Sequence, residues 1–197
     1  RFWTKLPARD QMAIFDRSWY RKVMIDRFDG ITSEKRLASY YNEINSFERQ
    51  LAADGNVIIK LFLCIDKKEQ KKRFKKLMES RSSAWRVSED DLRRNKDFDL
   101  YKEMNDEMLE YTDTAYAPWT IVESMDREFA TVKIYTAVIE ALKAALRRKA
   151  EGSASDTTVS HVPLPASEYN DEVLRTSSLK KVDLSLTLER DEYKKQL

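Results

Sequence analysis

Cysteine and glycine are scarce in this chain: Cys64 stands alone, and Gly30, Gly55 and Gly152 are the only glycines in 197 residues. The single thiol excludes an internal disulfide framework, so a reducing cytoplasm is the expected compartment, and its place in the apolar run VIIKLFLCI makes burial its ordinary fate. Three scattered glycines exclude a glycine-rich phosphate loop, because GxxxxGK[ST] cannot be assembled from them. No apolar run is long enough to span a bilayer, and 36% charged against 42% hydrophobic residues describe a polar globular chain that does not enter a membrane. An excess of one charge is missing too. The 36 Lys+Arg nearly balance the 34 Asp+Glu, which argues against a general nucleic-acid coat and leaves only local basic clusters as candidate anion sites. The chain opens on Arg1, Phe2 and Trp3 with neither methionine nor leader pattern, so upstream sequence is expected to be missing.

What is present is a pattern for one α/β core. Short apolar runs at Gln11 to Phe15, Val57 to Ile65 and Trp119 to Val122 predict buried strands. Between the first two, Leu37, Tyr40, Tyr41, Ile44, Phe47 and Leu51 recur at spacings of three and four and predict a helix over about 33–53. Strand, helix, strand is the unit of a parallel sheet, and strands apolar throughout predict helices on both of its faces. A charged stretch over about 66–113, without glycine or proline, predicts two or three helices inserted between the second and third strands. A helix over about 126–149 closes a domain spanning 1–150; residues 151–178, which combine Gly152 with Ser, Thr and two prolines and show little periodicity, read as a linker, and 179–197 as the start of something else.

The segment AIFDRSWYRKVMIDR carries the most chemistry. A strand ending in Asp16 would put a carboxylate at the carboxyl edge of a parallel sheet, where such folds bind ligands and where Mg²⁺ can be held. Arg17 beside it offers a planar fork of donors for phosphate oxygens, and Ser18 is placed to cap the following helix. The plainer alternative is a capping Asp16 with a solvated arginine neighbour. Trp19 and Tyr20 read as packing residues, and Glu43 and Glu48 as members of surface salt bridges.

RFW, LP, AIFDRSWY, INSFERQLAADGNVIIKLFL and APW, in that order, resemble the polyphosphate kinase 2 family from Arg1 to about Leu146. The resemblance implies a P-loop kinase-like fold, three α/β/α layers around a parallel sheet with an inserted helical lid at about 66–113, here N-terminally incomplete because the family's phosphate loop lies upstream of RFW. It implies Mg²⁺ as cofactor, Asp16 as the catalytic carboxylate beside the metal, and Arg17 as a catalytic phosphate contact. In the lid, Lys71, Lys72 and Arg73 of KEQKKRF and Arg86 of AWRVSEDD occupy the places of phosphate-binding cations, and Arg127 stands where the family has lysine. Other departures are Asp10 and Arg21 for glycines, Lys22 and Thr131 for arginines, and Phe98 for a lid tryptophan. The terminal KVDLSLTLERDEYKKQL resembles the opening of a second such domain, as in tandem polyphosphate:AMP phosphotransferases. The implied partners are inorganic polyphosphate and AMP or ADP, with a fused second domain and room for a homo-oligomer; nucleic acid and membrane are not among them. The implied activity is transfer of phosphate between polyphosphate and a nucleotide, with the chain inactive by itself. The rivals are a non-catalytic supporting half of a tandem enzyme and an ATP-dependent nucleotide kinase of the same fold.

Overall fold

A computed structural model describes residues 3–8, 10–151 and 178–196. Helix α1 covers Arg21–Phe28 and α2 covers Leu37–Ala53, and α2 buries Leu37, Tyr40, Tyr41, Ile44 and Leu51, the stripe that its sequence spacing predicts. It stops at the Asp54-Gly55-Asn56 turn: Gly55 takes φ +87°, and the Asn56 amide returns to the Leu51 carbonyl at 3.0 Å, closing a Schellman cap that a side chain at Gly55 would strain. Strand β1, Lys60–Cys64, follows. It pairs in parallel with β2, Trp119–Glu123, in a register running from Lys60 opposite Trp119 to Cys64 opposite Glu123.

The predicted first strand is not formed. Residues 11–15 have no ladder partner among the described residues, and Met12 and Ile14 are 66% and 92% exposed. An apolar run becomes a strand only when another backbone satisfies its N–H and C=O groups. Residues 57–59 fall outside β1 for the same reason, since the ladder with β2 begins at Lys60. Cover on both faces also holds only in part: Val122 is fully buried, whereas Leu63 is 57% exposed.

The charged insertion folds into three α-helices: α3 over Lys67–Met78, α4 over Glu89–Lys96 and α5 over Phe98–Thr112. Asp66 caps α3 by accepting from the Glu69 amide, and Ser88 with Asp91 forms a reciprocal capping box at α4. Nothing in α3 is buried and only Asn95 in α4, but α5 seals Met108, Leu109 and Thr112 into the core beside Tyr20, Val23, Tyr41 and Ile44. The last part of the insertion is therefore packing structure. Helix α6, Arg127–Ala150, starts at an Asp126 cap and closes over β2. The stretch read as a linker lies almost wholly in 152–177, outside the described residues. Beyond it, Leu179 is buried in the same core and its amide donates to Asp106 at 2.9 Å, ahead of the short helix α7, Arg190–Gln196. The chain is thus α/β with a parallel sheet and an inserted helical module, and no helix among the described residues is long and apolar enough to cross a membrane.

Candidate functional site

Asp16 and Arg17 sit on a left-handed turn instead of a strand end. Arg17 has φ 59° and Ser18 φ 46°, a conformation that costs a non-glycine residue about 1–2 kcal/mol. Both Asp16 and Arg17 are exposed, and among the described residues Asp16 has neither a hydrogen-bond nor an ion-pair partner. Neither Asp16 nor Ser18 caps a helix: the turn at Ser18–Tyr20 and helix α1 both begin without a side-chain cap. The Ser18 Oγ is instead shut away from solvent with no hydrogen-bond partner among the described residues. On the far side of the turn, Arg17 and Arg94 both favour ionisation of the Tyr101 hydroxyl, although burial, the larger influence, pushes that group up.

Immediately after the turn, both aromatic residues reach one carboxylate. The Trp19 Nε1–H donates to Glu48 Oε1 at 2.9 Å, and the Tyr20 hydroxyl donates to the same oxygen at 2.5 Å. Glu48 is fully buried, which corrects its reading as a surface ion-pair member. Its other oxygen accepts from Lys60 Nζ at 2.9 Å, and Lys60 also donates to Tyr20 Oη at 3.2 Å and to the Thr112 carbonyl at 2.6 Å. Burial lowers the Lys60 pKa against the pull of Glu48, and burial with Glu48 raises that of Tyr20 well above the ordinary phenol range. The sequence signal for this network is present but indirect: Glu48 lies two turns beyond Tyr41 and one turn beyond Ile44, on the apolar face of its helix, and Lys60 interrupts an apolar run.

The predicted lid cations are dispersed. An open groove of about 500 Å³ between α3 and α6 is lined by Leu63, Lys72, Arg73, Lys76, Arg127 and Ile134, among others, so Lys72, Arg73 and Arg127 do meet. Arg73 is already engaged: it pairs with Glu69 at 2.8 Å and donates to the Ser124 and Met125 carbonyls at 2.7 and 3.0 Å, stitching α3 to the end of β2. Lys72 is loosely paired with Glu69 at 3.6 Å and stays exposed. Lys71 and Arg86 do not line the groove; both are exposed, and Arg86 lies over the ring of its neighbour Trp85 at 5.5 Å. Lys76, missed from sequence, was detectable as the residue one helical turn beyond Lys72. A separate pair of arginines latches α4 to the end of α1: Arg93 meets Asp29, the residue after α1, at 2.6 Å and Arg94 meets it at 3.5 Å.

Among the described residues no three His, Cys, Asp or Glu side chains gather to form a metal cage. Asp16 is a single exposed carboxylate, and Mg²⁺ commonly takes one or two carboxylates and completes its shell with water and phosphate oxygens.

A parallel sheet, an exposed carboxylate–arginine turn and a charged helical insertion place the chain in the α/β class. Within it, residues 1–150 match the family model for polyphosphate kinase 2, and the chain belongs to that family. It is 38% identical over 148 residues to a polyphosphate:AMP phosphotransferase of Pseudomonas aeruginosa, covering 75% of this chain and 30% of that protein. It is 33% identical over 132 residues to a GDP-polyphosphate phosphotransferase of Mycolicibacterium smegmatis, covering 67% and 47%. Among solved structures, a Pseudomonas aeruginosa PA01 protein described as a polyphosphate kinase 2 superposes with a TM-score of 0.71 at 38% identity, over 75% of this chain and 32% of the other. The polyphosphate kinase 2 of Arthrobacter aurescens TC1 gives 0.67 at 31% identity, over 73% and 50%. The chain thus spans between 30% and 50% of the length of these relatives.

Proposed function

We propose that this chain supplies part of a phosphotransferase site that moves phosphate between inorganic polyphosphate and AMP or ADP. The observation that carries the reading is the Asp16–Arg17 turn, strained and exposed inside the stretch that matches the family. Transfer of this kind breaks one phosphoanhydride bond and forms another between a polyphosphate end and a nucleotide phosphate oxygen. Protein groups contribute mainly position and countercharge. Arg17 binds phosphate oxygens through its planar fork, and Lys72, Lys76 and Arg127 along the groove neutralise further charge on a long polyanion. Asp16 would hold Mg²⁺, which when bound offsets charge on the phosphates.

No GxxxxGK[ST] segment exists in the 197 residues, so the chain by itself binds polyphosphate without transferring it. The same feature favours the second reading, a supporting half whose partner domain performs the chemistry. Asp16→Asn, made in the natural protein that carries this sequence, separates them. Loss of polyphosphate-dependent formation of ADP or ATP is expected; an unchanged rate would assign transfer to other residues and leave this chain a support.

A further inference from the structure

Residues Arg17 and Ser18 hold a left-handed backbone that neither is built for, and something nearby must impose it. The elements that follow supply the constraint. Two consecutive aromatics, Trp19 and Tyr20, are both hydrogen-bonded to one oxygen of Glu48, at 2.9 and 2.5 Å, while the other oxygen is held at 2.9 Å by Lys60 from strand β1. Around them Trp19 meets the Phe47 ring edge-on at 4.8 Å, Tyr20 meets Trp119 at 4.9 Å, and the Lys60 ammonium lies 4.9 Å from the Trp119 ring centre. Helix α2 and strand β1 therefore grip the residues directly after the turn through a single carboxylate.

A buried ion pair is a poor device for stability alone, because well-packed apolar residues of similar volume commonly serve as well or better. What such a pair provides, and apolar packing does not, is directional bonds that fix where two donors sit. We propose that Glu48 is a positioning residue of the phosphate site: held by Lys60, its carboxylate fixes Trp19 and Tyr20, and through them keeps the Arg17–Ser18 backbone left-handed so that Asp16 and Arg17 are presented together to solvent. The proposal rests on the reading of Asp16 and Arg17 as the phosphate and metal site. Glu48 touches no substrate and acts only through the turn.

Two variants of the 197-residue chain test it. Glu48→Gln keeps the shape and removes the charge; Trp19→Phe removes one donor and leaves the Glu48–Lys60 pair whole, so the fold survives should the first variant fail. Backbone ¹³Cα and ¹³Cβ shifts of Arg17 and Ser18 report the sign of φ without any ligand, and methyl shifts of Val23, Ile44 and Val122 report the core. In the folded variants the left-handed shifts at Arg17 and Ser18 are expected to move toward averaged values while the core methyls stay in place. Tripolyphosphate affinity is expected to fall about tenfold, as on Arg17→Ala, the loss typical of one misplaced charge-assisted hydrogen bond. Left-handed shifts that persist in Trp19→Phe and in any folded Glu48→Gln would overturn the proposal. If the shifts move but the wild-type chain binds no tripolyphosphate, the positioning role stands and the polyphosphate reading falls.

Discussion

The side chain that most changes the account is Tyr20. Its hydroxyl is raised far above its ordinary value by burial and by Glu48, and this gives the network a pH signature. In the unfolded chain tyrosine ionises near pH 10, whereas Tyr20 keeps its proton in the folded state; its contribution is complete below about pH 10 and is lost as pH rises beyond it. Lys60 acts in the opposite sense, because its folded pKa is lowered and its burial penalty fades as pH climbs toward the unfolded value. Comparing wild type with Tyr20→Phe isolates the first effect. Denaturant unfolding between pH 8 and about 11 should show the wild type losing stability relative to the variant above pH 10; a gap that stays constant would mean that Tyr20 ionises normally in the fold. At this scale the sequence was readable in type and misleading in partner. Trp19 and Tyr20 were expected to pack, and they do; but their polar atoms also meet Glu48, and no local spacing announces a contact 28 or 29 residues away. A glutamate in INSFERQL reads as solvated by default because an ionised carboxylate is costly to bury, and only the arrival of Lys60 from a different element makes burial tolerable.

Among the elements, the inserted helices divide by burial. Helices α3 and α4 are held mostly at the surface, by the Lys67 ammonium on the Lys96 carbonyl at 2.9 Å, by Asn95 on Lys67 and Gln70, and by the Asp29 latch, whereas the end of α5 is core. Opening free energy follows burial, so backbone amides in 67–97 should exchange faster than those of Met108 to Thr112. With polyphosphate present, exchange in 67–97 should slow while α5 stays as it was; equal exchange with and without it would mark α3 and α4 as a merely solvated surface. The helices were legible because their 3.6-residue periodicity and caps are local. The strands were legible only where a partner exists: Lys60–Cys64 within VIIKLFLCI pairs with Trp119–Glu123, but MAIF is also apolar and stays unpaired, with Met12 and Ile14 exposed. Pairing is a property of two segments, so the sequence of one cannot decide it.

For the molecule as a whole, the stretch that matches the family includes the Asp16–Arg17 turn. Within residues 1–150, Arg17 and Ser18 are left-handed, and Trp19 and Tyr20 directly after them are hydrogen-bonded to Glu48. The groove between α3 and α6 collects three of the cations that the family resemblance implied and adds Lys76, while Lys71 and Arg86 lie exposed outside it. With a formal net charge of only +2, nonspecific attraction to polyanions is weak, and recognition has to come from these few placed cations. The most direct test is calorimetric titration of the chain with linear polyphosphate of defined length, set beside single-stranded DNA of equal charge, for wild type and Arg17→Ala. Binding of polyphosphate in preference to the DNA, weakened about tenfold or more by Arg17→Ala, is the expected result. Equal affinity for the two polyanions, or a polyphosphate affinity indifferent to Arg17, would contradict the assignment of the turn as a phosphate site.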